Sequence, residues 1–254
     1  MSNTERRITT NNELNGVLVG RGEFSIPDFI YFDKTESCKP LVEIDNIELN
    51  EDIELIETPG EGSHIYFGAN VTFNSAVIFN PSRRIKVFID GSSFKDDLSF
   101  IGHCATEFTI KRGTFSEVNC LLENTQNIFI EGGDFKSEVN ISTNNLYDTF
   151  RKSGGNFKGA VLLSGKIGSF VIENQKKKKP QFKSVVNLQL LNTQKIKLDG
   201  GVYYNPFTIS GGEHNDIEII SAELRNILEI NESCRIRSLK LDSPKIQNLY
   251  FNHK

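Results

Sequence analysis

The stretch Ile128-Phe129-Ile130-Glu131-Gly132-Gly133-Asp134-Phe135 decides the fold, because its pattern returns along most of the chain. Two apolar residues alternate with other residues, a turn-forming segment follows, and a large apolar residue ends the unit. The stretch Val87-Phe88-Ile89-Asp90-Gly91-Ser92-Ser93-Phe94 has the same order. A pattern that returns at a fixed spacing predicts a repeat protein.

The large apolar residue that ends each unit, called the anchor below, recurs about every twenty-one positions. The anchors are Phe73, Phe94, Phe115, Phe135, Phe157, Phe182, Tyr203, Leu224 and Ile246. Their successive gaps are 21, 21, 20, 22, 25, 21, 21 and 22 residues. A period of this length is typical of a solenoid, in which each repeat buries its apolar face against its neighbours.

Short strands flank each anchor. Apolar pairs lie seven and five residues before it, as in Ile128 and Ile130, and again four and six residues after it, as in Val139 and Ile141. Alternation with a period of two predicts strands with one buried face. A small or turn-forming residue, such as Gly133, stands two positions before most anchors and predicts a tight corner. Each coil therefore reads as strand, corner, anchor, strand and a more variable turn.

The phased units resemble coils of the right-handed parallel β-helix, the pectin-lyase-like superfamily, over roughly residues 65–252. The resemblance implies an all-β fold, a single-stranded right-handed parallel β-helix (β-solenoid) with coils of about 21 residues. That superfamily includes polysaccharide lyases and hydrolases, phage tail spikes, adhesins and scaffolds, so the fold alone assigns no activity.

The sequence predicts three regions. Residues 1–14 are polar and are expected to form an N-terminal arm, and residues 15–64 to form irregular N-terminal coils or a cap with an inserted loop. Within that second region, Phe24 matches the anchor pattern and the next anchor is expected near Ile53. Residues 65–254 are expected to form the regular β-helix.

Composition limits the classes of partner and compartment. The net charge of −4 argues against a general nucleic-acid binder. The chain has no apolar run near eighteen residues and no signal-peptide core after Met1, so we expect no membrane span. Its four cysteines are scattered, which is typical of free thiols. A protein located in the cytoplasm or in a virion fits these features.

The strongest catalytic candidates are Asp96, Asp97 and His103. Polygalacturonase-like glycosidases of the similar fold carry a paired Asp, a Gly-His and an Arg-Ile-Lys, and inverting hydrolysis needs two carboxylates. Here Arg84-Ile85-Lys86 precedes the Asp pair instead of following the His, and a solvated turn explains Asp96 and Asp97 equally well. The histidines show no metal-ligand spacing, so the sequence predicts no metal site and no cofactor.

A second candidate site is a column of cations at the position directly after the anchor. It contains Lys95, Lys136, Lys158, Lys183 and Arg225. The inserted run Lys176, Lys177, Lys178 and Lys179 adds four more cations at one corner. An anionic polymer along the rod would satisfy such a column. Salt bridges to Glu117, Glu138 and the Asp pair would satisfy it as well, and the inserted run has the alternative of plain solvation.

Three functions follow from these patterns. The leading expectation is a non-enzymatic structural or interaction protein that assembles with a protein partner or with itself through exposed β-helix ends, as in fibres or virions. An uncovered parallel edge invites pairing with another chain. The alternatives are a polysaccharide lyase or glycoside hydrolase, and a binding module for a glycan or another anionic polymer.

Overall fold

The computed structural model describes residues 30–32, 40–44, 48–49, 53–55, 63–68, 71–80, 85–102, 105–174 and 179–252. All regular secondary structure in these residues is β-strand. The first twelve strands are β1 (Ile30–Phe32), β2 (Pro40–Ile44), β3 (Glu48–Leu49), β4 (Ile53–Leu55), β5 (Ser63–Phe67), β6 (Thr72–Phe73), β7 (Val77–Phe79), β8 (Ile85–Phe94), β9 (Leu98–Gly102), β10 (Ala105–Phe115), β11 (Val118–Ile130) and β12 (Asp134–Phe135). The remaining strands are β13 (Val139–Lys152), β14 (Asn156–Phe157), β15 (Val161–Glu173), β16 (Gln181–Phe182), β17 (Val186–Leu190), β18 (Asn192–Asp199), β19 (Val202–Tyr203), β20 (Phe207–Ser210), β21 (Glu213–Ile220), β22 (Glu223–Ile230), β23 (Arg235–Asp242) and β24 (Lys245–Phe251).

The strands pair in parallel with the equivalent strands of the next coil. Ile89 is in register with Ile110, and Ile110 with Ile130. Strands about 21 residues apart stack in this way through about eight turns. The prediction of an all-β parallel solenoid is therefore confirmed.

The predicted anchors form one continuous column inside the solenoid. Register joins Phe73 to Phe94 and continues, one coil at a time, to Ile246. From Phe73 to Tyr203 the rings stack nearly parallel, with centroid separations from 4.4 Å to 5.5 Å. This separation is close to the strand spacing of about 4.8 Å. The backbone hydrogen bonds between strands and the stacking of the rings therefore support the same register.

Gly133 shows why the corner needs a small residue. Its backbone adopts a φ of +112°, which L side chains rarely adopt. A Cβ atom at this position would lie 3.0 Å from the Phe135 ring and 3.2 Å from the Phe115 ring. The corner therefore brings the backbone directly against the anchor stack.

The N-terminal region differs from the expectation in its phasing. Leu49, and not Ile53, is in register with the anchor Phe73, whereas Ile53 is in register with Val77 on the second strand. Parallel pairing with the next coil already begins at β2, and β1 lies antiparallel on the other side of β2. Residues 1–14, and the coil expected around Phe24, lie outside the described residues.

The segment that follows the second strand of each coil, which was expected to be a variable turn, forms a third wall in several coils. Strands β11, β13 and β15 run without a break through it. Its inward positions include Thr125, Ile167, Thr193 and His214, all of which are buried. Each stands alone among polar residues, so the segment lacks the alternating pair that marked the other two strands.

The core contains one buried cation. Lys152 is in register with Ile130 and Ile172, and its side chain is only 1% exposed. Its Nζ donates a hydrogen bond to the carbonyl oxygen of Gly154 and lies 3.9 Å from the centroid of the Phe157 ring. No ion pair among the described residues reaches it. Burial lowers the pKa of this amine well below its ordinary value of 10.5.

Replacing Phe135 by Ala should lower the free energy of unfolding by about 3–5 kcal/mol, because it opens a cavity in the ring stack. Urea denaturation followed by circular dichroism measures this change. Lys136→Ala is the matched control, because its side chain is exposed one position further along and its loss should cost little. An unchanged midpoint for Phe135→Ala would contradict the anchor assignment.

Replacing Lys152 by Met should raise the free energy of unfolding at neutral pH, because it removes an amine whose charged form is disfavoured by burial. The unfolded chain protonates Lys152 up to its ordinary pKa of 10.5, whereas the folded state disfavours the proton. The unfolded state therefore binds more protons, and wild-type stability should rise as the pH increases toward 10.5.

Urea titrations of both proteins at several pH values between 7 and 10.5 test this prediction. The difference between the wild type and Lys152→Met should shrink as the pH rises. A difference that stays constant with pH would show that Lys152 is already charged in the folded protein.

Candidate interaction surfaces

The acidic pair Asp96 and Asp97 lies in the turn after the anchor Phe94. An Asp96 Oδ1 accepts a hydrogen bond from the backbone N–H of Asp97 at 3.0 Å, which is a local turn contact. Burial, followed by the charges of Glu117 and Asp96, raises the pKa of the Asp97 carboxyl. His103 lies outside the described residues.

A shallow depression follows the outer face of the second strand. Its lining includes Ser99, Ile101, Asn119, Leu121, Asn140 and Ser142, with Phe100 and Cys120 beneath. The lining holds no carboxylate or imidazole, and burial raises the pKa of the Cys120 thiol to about 12. The depression therefore offers neither a general acid nor a reactive thiolate.

The candidate cations lie on the coils at the position directly after the anchor. The backbone N–H groups of Lys136, Lys158 and Lys183 donate to Phe115, Phe135 and Phe157, the anchors of the preceding coils, at 2.7–2.9 Å. These three lysines thus occupy successive coils, and all three side chains are exposed. Lys95 lies two coils earlier, with Ser116 between it and Lys136.

Salt bridges satisfy only part of this column. Lys158 pairs with Asp134 at 3.2 Å and Arg225 with Glu223 at 2.7 Å. Within the part of the chain that the structure describes, Lys95, Lys136 and Lys183 make no ion pair. Salt bridges therefore account for two of the five cations, and their partners are Asp134 and Glu223 instead of the expected Glu117, Glu138 and Asp pair.

Carboxylates line only one half of the column. Backbone hydrogen bonds place Asp97, Glu117 and Glu138 on successive coils, each just before the second strand. The next coils carry Ala160 and Val185 at this position. The half of the column that begins at Lys158 is therefore free of this acidic row.

That second half also carries an aromatic surface. Tyr204 continues the column after Lys183, and the Arg225 guanidinium lies 4.7 Å from the centroid of its ring. Tyr204 is 36% exposed and Val185 is 39% exposed. Lys179 is exposed and close enough to Glu223 to affect its pKa, whereas Lys176, Lys177 and Lys178 lie outside the described residues.

The second surface is the edge formed by β23 and β24. These strands pair with β21 and β22 on one side, and no other described strand pairs with their outer side. Leu239, Leu241 and Leu249 are between 36% and 43% exposed. Their partners one coil earlier are no more than 3% exposed, so the missing neighbour explains the exposure.

Exposed cations border this edge. Arg237, Lys240 and Lys245 are exposed, and none of them takes part in an ion pair among the described residues. The sequence patterns did not indicate these three cations. Lys245 directly precedes the anchor Ile246, and because side chains alternate along a strand, this position predicts that Lys245 faces outward.

Neither a cation site nor a membrane helix is found in the described part of the chain. No three His, Cys, Asp or Glu side chains there lie close enough to hold a metal ion. No helix there is long and apolar enough to cross a membrane.

Comparison with protein-family models, with curated proteins and with solved structures finds no match. The parallel β-solenoid therefore rests on the chain's own register. Its right-handed sense and its likeness to the pectin-lyase-like superfamily stay predictions from the sequence.

Proposed function

We propose that this protein is a non-enzymatic structural and interaction module that assembles through the open edge of β23 and β24. The observation that carries this proposal is the exposure of Leu239, Leu241 and Leu249, which occupy core columns of the solenoid. Complete burial of a Leu side chain contributes about 1.5–3 kcal/mol. Covering the exposed third of three such side chains therefore favours association.

The backbone of the edge supports the same proposal. A parallel edge presents a row of N–H and C=O groups that another strand can pair with, and native proteins usually block such edges. Here β1 lies across β2 at the opposite end, whereas no described strand covers β23 or β24. A fibre or a virion component is the kind of assembly that an uncovered end of this type fits.

Light scattering on the intact chain, at low and at high salt, tests the assembly role. We expect a molar mass of at least two chains in both salts, because the edge is apolar and pairing buries its apolar side chains. Leu241→Lys should return the protein to a monomer, because it places a charge in the contact.

The control variant is Leu121→Lys. Leu121 is 57% exposed on the lateral face, so the same substitution there should leave the mass unchanged. A wild type that stays monomeric at all concentrations and in both salts would overturn the proposal.

A second candidate function is the binding of an anionic polymer along the cation column. It is favoured by the half of the column that lacks the acidic row, where Lys183, Tyr204 and Arg225 follow Lys158 on successive coils. Cations and an exposed ring one strand spacing apart suit a polymer that carries regular negative charges.

Changing Lys136, Lys158 and Lys183 together to Ser should weaken retention on heparin or on immobilised polyphosphate. Each lost contact should reduce the slope of log affinity against log salt by about 0.7–0.9, the range for nucleic-acid phosphates, so three contacts should reduce it by about 2.1–2.7. Salt-gradient chromatography measures both quantities.

The matched control changes Lys111, Lys166 and Lys197 to Ser, which removes the same charge from other faces. Equal losses for the two triple variants would indicate general electrostatic attraction and would remove the column from consideration.

A further inference from the structure

We infer that the occupant of the β23–β24 edge is the first described coil, β2 to β4, of a second copy of this chain, stacked head to tail. This inference rests on the proposed assembly function and names its partner and geometry. The surfaces involved are the C-terminal edge, β23 and β24, and the N-terminal edge, β2 to β4.

Within the part of the chain that the structure describes, the two edges lie at opposite ends of the same columns. Register runs without a break from Val42 through nine pairings to Leu239, and in the same way from Ile44 to Leu241. On the other wall it runs from Ile53 to Leu249 and from Leu55 to Phe251. A second copy placed one strand spacing beyond β23 and β24 would continue every apolar column with an apolar residue.

The charges at the two ends are opposite. Lys240 ends the column that Glu43 begins, and Lys245 ends the column that Glu48 begins. Head-to-tail stacking therefore places Lys240 next to Glu43 and Lys245 next to Glu48 of the neighbouring copy. Opposite charges at facing positions of paired strands are favourable.

The solenoid already uses this arrangement between its own coils. Arg112 pairs with Asp90 at 2.6 Å, Lys195 with Glu218 at 3.0 Å, and Arg235 with Glu213 at 3.3 Å, each across one coil boundary. The interface between two copies would repeat this pairing of opposite charges across a coil boundary.

Tail-to-tail pairing is the competing geometry, and the charges oppose it. The C-terminal edge presents Arg237, Lys240 and Lys245, so two such edges would bring like charges together. The two geometries also give different products. A head-to-tail contact is heterologous and adds copies without closing, whereas a tail-to-tail contact closes at a dimer.

Strand β1 is the internal competitor for this contact. Its residues Ile30, Tyr31 and Phe32 pair antiparallel with Val42, Leu41 and Pro40 on the outer side of β2. No described strand covers the outer sides of β3 and β4. In the stack, β24 meets β3 and β4, and β23 takes the place of β1. A variant that weakens β1 should therefore strengthen association.

Sedimentation velocity over a concentration series tests the inference with charge reversals in the full-length chain. Lys245→Glu and Glu48→Lys should each weaken self-association about tenfold, and the double variant should recover to within about threefold of wild type. The mass of wild type should keep rising beyond two copies. Tyr31→Pro, which removes a backbone donor from β1, should raise the mass at a given concentration.

The control is Lys166→Glu on the lateral face, which should behave as wild type. Association that stops at a dimer, or a double variant no stronger than either single variant, would overturn head-to-tail stacking. If Leu241→Lys still abolished association in that case, the assembly function would stand and only its partner would change. A wild type that never associates would overturn both.

Discussion

Parallel register between coils is the constraint on which the rest of this molecule depends. Each coil is too small to bury its own apolar side chains, so its stability comes from the neighbours above and below. The stacked rings from Phe73 to Tyr203 and the hydrogen-bonded ladder around them favour the same separation of successive coils. Because both interactions depend on one spacing, a residue's position within its coil determines whether it faces the core or solvent.

The sequence allowed most of the core to be predicted, because a fixed period makes each column visible. Prediction of the core failed where the spacing of the repeat changed, and where a single inward-facing residue had no buried apolar neighbour two positions away. Leu49 was missed because it lies 24 residues before Phe73 instead of about 21, which shifted the apparent anchor to Ile53. The third wall was missed because Thr125, Thr193 and His214 are isolated polar residues that no alternation rule selects. Lys152 could have been found by counting five positions back from Phe157.

The candidate sites were predicted less well than the core, for a physical reason. The cation column follows from the period, so its positions could be listed in advance, but the pairing of each charge depends on side chains in other columns. Asp134 and Glu223 neutralise two members, and no spacing rule identified them beforehand. The open edge could not be predicted from the sequence, because it depends on which described strands lack a pairing partner in the folded solenoid.

The unequal ends of the solenoid also bear on how the chain folds as it is made. Synthesis delivers the N-terminal coils first, and domains generally begin to fold in that order. Strand β1 lies across β2, so on this wall the early coils offer later segments one edge on which to add. Each new coil can then be laid down on the coil before it, in the direction of translation. The antiparallel strand thus gives this wall of the folding chain a single growing edge, which reduces the number of wrong pairings open to similar repeats.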